Sequence, residues 1–304
     1  MSVFQGHVGL NLSSAKLDLV EVNYKDKNYF LENVDEEYFS EFISFSEKET
    51  KIITILQQAL DNILIRKSFN SSNVSFSLPS NLFKVFEVPF DNTLHKNDLA
   101  NHLSWEFSVL FPSLKREDYV IRHYQLEMNI RKKNLLILFA LERRIINILN
   151  KFSARNNLTM KFVDDEHIAS SIATNLSEIT NGNILSVFIG LHYFTVLVMN
   201  NNQPVYFKKT SVKSYANFEP VFVEEYRRLI DTINEEMKFE KVFLFGYKYP
   251  TSIIEVLEKE LGSEISYSNP FSVIKSSDKL KEFQLTKNNP AAFASAAGMA
   301  YRLF

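Results

Sequence analysis

The chain has 304 residues, 45% of them hydrophobic and 23% charged, with a formal net charge of −2. That balance belongs to a folded globular protein and excludes a disordered chain; it also leaves no overall basic field to gather nucleic acid or anionic lipid. With no Cys, disulfides, thiolate zinc sites and iron–sulfur clusters are excluded, in keeping with a reducing cytoplasm.

Three strand-like segments open the chain: VGLNLS, KLDLVEV with its alternating Leu17, Asp18 and Leu19, and KNYFLENV beyond a turn around Lys25–Lys27. SEKETKIITILQQALDNILIRK then reads as a helix, capped by Ser46 with Glu49 three positions on, and with Ile52, Leu56, Leu60 and Ile63 on one face. NVSFSLP is a buried strand. Residues 83–157 form a strand–helix–strand–strand–helix module that could fold by itself. FKVFEVP, DYVIRHYQLEM and KKNLLILFAL supply its strands, the last two joined by a basic hairpin turn. KNDLANHLSWEFSVLF, stopped by Pro112, and ERRIINILNKFSARN supply its helices. LTMKFVDDEHIASSIATNL follows as a strand and a helix.

From Asn183 the opening pattern recurs. ILSVFIGL, YFTVLVM and QPVYFKKTS are strands, followed by a helix at about Glu219–Met237, the strand KVFLFG, a helix from Ser252 to Leu261 and the strand EISYS. A final helix, PAAFASAAGMAYRLF, has Pro290 in its first turn and a small-residue face of Ala291, Ala294, Ala297 and Gly298. The expected fold class is α/β, built by duplication of a meander-plus-helix half. The expected domains are a first half over 1–82 and 158–180, the inserted module over 83–157, and a second half over 181–304 with a small subdomain at about 209–239.

Few residues point to chemistry. No Ser–His–Asp order, clustered carboxylate pair or H-E-x-x-H is present, so a hydrolase has nothing to rest on. Asp164–His167, DDEH, reads as a strand end followed by a helix that Asp165 caps. The cations of NIRKKN, residues 129–134, read as a solvated turn. His102 and Trp105, beside Phe107 and Phe111, read mainly as core packing, although aromatic residues also concentrate at interfaces. Only seven Gly occur, few for a protein that wraps phosphate in backbone loops. The N-terminus has no secretory pattern, and no apolar run of about 18 residues is present to span a bilayer.

Six stretches, in order, resemble the actin-like ATPase superfamily, specifically the PilM type of type IV pilus assembly protein and the related FtsA division proteins. VGLNLSSAKLDLVEV is similar to the first phosphate hairpin, which begins V-G-I-D-I-G-S-S. NVSFSLPSNLFKVFEVPF and HLSWEFSVLFPSLKREDYVIRHYQL resemble the passage into the inserted subdomain and its helix. ILSVFIGLHYFTVLV resembles the second phosphate hairpin, VFLFGYKYPTSIIEVLEKELGSEISYSNPF the adenosine segment and NNPAAFASAAGMAYRLF the terminal helix. The resemblance implies an actin-like (ribonuclease H-like) duplicated fold carrying an inserted subdomain.

The nucleotide positions depart from the family pattern. Asn11 stands where the family has an Asp that orients hydrated magnesium, and Ser13 where it has a Gly; Ser14 matches. In the second hairpin Phe188 replaces an Asp. Gly190 is kept but is followed by Leu191 and His192, of which the histidine could donate to an anion. A Gly-Gly pair has become Gly246-Tyr247. Each charge-assisted bond lost costs roughly 1.5–3 kcal/mol, and micromolar affinity amounts to only about 8 kcal/mol. The expectation is a pseudo-ATPase without enzyme activity and without cofactor. The resemblance implies a cytoplasmic scaffold that binds the cytoplasmic N-terminal tail of a bitopic inner-membrane partner, PilN-like, in a cleft between the inserted module and the first subdomain. No nucleic acid and no direct membrane anchor are expected. The alternative is an actin-like ATPase or small-molecule kinase with an unorthodox Mg-ATP site at Ser14, Gly190, His192 and Gly246.

Overall fold

Two sheets repeat one strand order. The computed structural model describes residues 6–26, 28–177, 182–233, 237–246, 250–277, 280 and 283–302. By contact it divides into two units, Met1–Ser80 with Ile145–Ile179 and Tyr267–Phe304, and Asn81–Arg144 with Thr180–Ser266. In the first unit β1 (Gly6–Leu12), β2 (Lys16–Lys25) and β3 (Asn28–Tyr38) form an antiparallel meander. β4 (Asn73–Leu78) and β8 (Thr159–Asp165) extend it in parallel, giving the order β3-β2-β1-β4-β8, with Lys275–Ser276 added beyond β3. In the second unit β9 (Asn183–Ile189), β10 (Tyr193–Asn200) and β11 (Gln203–Ser211) make the meander, and β12 (Lys241–Gly246) and β13 (Ile265–Ser266) continue it: β11-β10-β9-β12-β13. The duplication expected from the strand pattern is thus present strand for strand, although EISYS forms only the two-residue β13.

Packing in the first unit depends on very close approach. The closing helix Ala294–Tyr301, which a 3-10 turn at Pro290–Phe293 introduces, lies against β1 and against α5 (Glu166–Ser177). A Cβ on Gly9 would sit 1.9 Å from the Ala296 carbonyl oxygen, and one on Gly298 1.8 Å from that of Ala169. Only glycine fits at either place, because the atoms it would meet are main chain. Buried His7 of β1 fastens the helix further. Its Nδ1 lies 2.9 Å from the Ala300 carbonyl, which can only accept, so the ring carries its proton there, and Nε2 faces the Ser75 hydroxyl at 2.9 Å. Burial lowers the pKa of this imidazole to about 4, against a smaller lift from that carbonyl.

α1 (Glu49–Arg66) buries Ile52, Leu56, Leu60 and Ile63 as expected, but it starts three residues after Ser46. Lys48 precedes it without a side-chain cap, since the Ser46 hydroxyl is engaged with that of Ser44 at 2.6 Å. α4 (Arg143–Arg155) also belongs here, almost entirely, rather than to the inserted module. Its buried Phe152 meets Phe76 of β4 edge-on at 6.2 Å, and Asn156 exchanges two hydrogen bonds with Gln57 of α1. The closing helix likewise joins the first unit, where the sequence reading had put it in the second half. A stretch of chain shows its helical period, but not the sheet that the helix's apolar face will find.

In the second unit α6 (Phe218–Ile233) and α7 (Thr251–Leu261) cover one face of the sheet with Phe218, Phe222, Leu229, Ile253 and Leu257. The segment 209–239 is part of this unit. The inserted strands β5 (Phe83–Pro89), β6 (Tyr119–Gln125) and β7 (Leu135–Glu142) form a sheet ordered β5-β7-β6, on which α2 (Lys96–Leu110) packs Leu103 and Phe107. Trp105 of α2 faces solvent, stacked on His102. Between β6 and β7 stands a one-turn helix, α3 (Met128–Arg131), in place of the expected hairpin turn. No helix among the described residues is long and apolar enough to cross a membrane.

Candidate functional site

The β1–β2 hairpin places Asn11, Ser13 and Ser14 at the end of the first sheet, and its polar groups bond inside the protein. The Asn11 amide donates to Asp18 Oδ2 at 3.0 Å, while its oxygen accepts from Ser77 at 2.9 Å. The Ser13 hydroxyl oxygen accepts the amides of Ala15 and Lys16 at 3.1 and 2.9 Å, and its proton goes to the Lys16 carbonyl. The carbonyls of Ser14 and Ala15 take the amides of Ile43 and Phe39. Lys16, which sequence reasoning passed over, points its ammonium at Asp18 and Glu36, both 2.7 Å away. Burial works against that charge, but the two carboxylates outweigh it and lift the lysine above its ordinary pKa. The alternation of Lys16 and Asp18 on one strand face was the signal available for this pair.

The β9–β10 hairpin of the second unit is apolar. Phe188 is buried, beside Thr195 of β10 and Phe245 of β12 in register, on the face opposite Val187 and Ile189. Gly190 donates to the Tyr193 carbonyl at 2.9 Å, and a Cβ there would stand 2.2 Å from the Tyr193 ring. Leu191 and His192 are exposed at the turn. Gly246 has φ +127°, and a side chain on it would meet the Ile189 backbone at 2.2 Å. Tyr247 lies outside the described residues.

DDEH resolves as the cap expected from sequence. Asp165 Oδ1 accepts the amides of His167 and Ile168 at 2.9 and 3.2 Å, closing the first turn of α5. All four residues are buried, and burial lowers the His167 pKa to about 3. Such a group serves the fold better than proton transfer near neutrality.

The second unit also holds a cavity of about 640 Å³, with β5, β11 and α6 as its walls. Glu225 of α6, 2% exposed, is bonded there by the Tyr206 hydroxyl at 2.6 Å and by Thr210 at 3.2 Å. Burial and that carboxylate together push the Tyr206 phenol upward. Arg131 lies along the wall, donating to both Glu87 oxygens at 2.7 and 3.3 Å and to the Val205 carbonyl at 3.2 Å. This corrects the reading of NIRKKN as a solvated turn for its arginine, a part-buried tie between β5 and β11, while Lys132 and Lys133 are exposed as that reading expects. The trace in the sequence was Glu87, a lone acid inside the apolar strand FKVFEVP.

No family model matches the chain, and no curated protein matches its sequence. Solved structures do. The chain is similar to one in the PilM-PilN type IV pilus biogenesis complex, at 15% identity over 100% of this chain and 99% of that one, with a TM-score of 0.72. It is also similar to a Bacteroides thetaiotaomicron VPI-5482 protein with an actin-like ATPase fold and unknown function, at 14% identity over 88% and 92% of the two chains, with a TM-score of 0.52. The strand order, the duplication and this full-length likeness together establish the actin-like ATPase fold, in the form shared with the PilM–PilN structure.

Proposed function

We propose that the protein is a non-catalytic scaffold of PilM type. It holds the cytoplasmic N-terminal tail of a PilN-like bitopic inner-membrane protein, and so links a membrane component to a pilus or secretion-type assembly. It works in the cytoplasm and reaches the inner membrane through that partner. The observation that carries the non-catalytic part is the state of the first hairpin. Magnesium–triphosphate needs a carboxylate and free amides, whereas Asn11, the Ser13 hydroxyl, the Ala15 and Lys16 amides and the Lys16 ammonium are all bonded within the protein. Those residues do not fit the group. Support for the partner comes from the full-length likeness to the PilM–PilN structure.

The test is a calorimetric titration of the full chain with a synthetic peptide. That peptide is the N-terminal tail of a small bitopic membrane protein, chosen from the genes that neighbour this one. Saturable binding that Mg-ATP neither promotes nor competes with is expected. No heat with peptide at about 1 mM, a ceiling near 4 kcal/mol of binding, contradicts the proposal.

A further inference from the structure

We infer that the cavity of the second unit is a strand-addition site, in which an extended peptide pairs its main chain with the exposed edge of β5. The inference deepens the scaffold reading and rests on it only for the tail used as the first probe. Among the described residues β5 pairs on one side only, with β7, and its register runs from Phe83 opposite Leu141 to Pro89 opposite Leu135. The next amide, of Phe90, donates to Asn134. In an antiparallel ladder bonded pairs alternate with non-bonded ones. Lys84, Phe86 and Val88 therefore turn their main chain toward β7, while Phe83, Val85, Glu87 and Pro89 turn theirs outward.

Both ends of that outward edge are stopped. The Phe83 carbonyl accepts from Lys209 Nζ at 2.7 Å, and the Pro89 carbonyl lies 2.9 Å from His102 Nε2. Pro89 has no amide to offer, as suits an edge position. Between these stops the amides and carbonyls of Val85 and Glu87 face out, and among the described residues no hydrogen bond reaches them. Proteins commonly blunt their edges. Here the blunting leaves a two-residue window, and the window opens on the cavity, which Val85 and Glu87 line.

On the opposite wall β11 is engaged at its start. The Pro204 carbonyl of β11 already takes the Glu127 amide at 2.9 Å, and the Val205 carbonyl takes Arg131. Of the carboxylates lining the cavity, Glu87 and Glu225 are bonded to Arg131 and to Tyr206. Recognition is thus left to the main chain, with side chains of the guest meeting Lys208, Arg228 and Asp231 at the walls. A volume near 640 Å³ lies within the roughly 300–1,000 Å³ of ligand pockets, enough for a short strand and too small for a folded element.

The experiment uses the full chain, the tail peptide and a phage-displayed library of random linear dodecapeptides, with amide hydrogen exchange and a Val85→Pro variant as readouts. Proline removes only an outward amide, so β7 pairing survives. The expected result is slowed exchange at Val85 and Glu87 on peptide addition, and about tenfold weaker binding to V85P, the loss of one main-chain hydrogen bond. Tail binding that leaves both amides unprotected and V85P at full affinity overturns this site while the scaffold reading stands. Library peptides that protect the edge where the tail does not bind support the site and sink the scaffold reading. If neither probe protects Val85 and Glu87, the site is overturned.

Discussion

Hairpins β1–β2 and β9–β10 hold equivalent places in the two sheets, yet they depart from the nucleotide-binding pattern in opposite ways. The first stays polar and turns its bonds inward, through Asn11, Asp18, Ser77 and Lys16. The second replaces polarity with a buried ring, Phe188. Two positions before each of these residues the contrast continues: β1 carries Gly9, pressed against the closing helix, and β9 carries Ser186, whose hydroxyl points to the Leu197 carbonyl at 3.4 Å. One strand is constrained by what packs on it, the other by what fills it.

The largest effect expected is at those paired positions. Gly9→Ala forces a methyl to 1.9 Å from the Ala296 oxygen and should cost about 4 kcal/mol or more, seen as insoluble or unfolded protein. Ser186→Ala should cost less than about 1 kcal/mol in urea denaturation. Equal effects would erase the contrast. Phe188→Asp, which restores the acid of the family pattern, exchanges a buried ring for an unpaired carboxylate. It should lower stability by about 3–5 kcal/mol without creating Mg-ATP binding.

Acid comes next, acting through His7 of β1. Its folded pKa, about 4, lies below the unfolded value of 6.5, so the unfolded chain takes up the proton first. This contribution is intact above pH 6.5 and is lost as the pH falls from 6.5 toward 4, by about 3 kcal/mol. His167, with a folded pKa of about 3, steepens the fall over the same window and continues it lower. Urea midpoints taken across this range should drop, and His7→Gln should flatten the slope. The smallest of these effects belongs to Asn11→Asp. The new carboxylate loses its donor role toward Asp18 and repels it, for about 2 kcal/mol at neutral pH, with Lys16 offsetting part. A variant that gained Mg-ATP affinity would show that the first hairpin lacks only its charge.

Much of the fold was legible because it is locally written. Alternation in KLDLVEV and the 3.6-residue spacing of Ile52, Leu56, Leu60 and Ile63 specify their elements without help from distant chain. The Asp165 cap was legible for the same reason, since its donors lie two and three residues away. The Arg131–Glu87 tie was not, because its partners are 44 residues apart and a basic loop looks solvated until its carboxylate is placed. The homes of α4 and the closing helix were hidden likewise: Gly9 and Gly298 acquire their meaning only when they face another backbone.

Thermal unfolding of the full chain in excess Mg-ATP tests the central claim, that these hairpins are folded structure and not a nucleotide site. The account predicts a melting curve superimposable on that of the protein alone. A saturable rise equivalent to about 2.7 kcal/mol at 100 times a dissociation constant would contradict it.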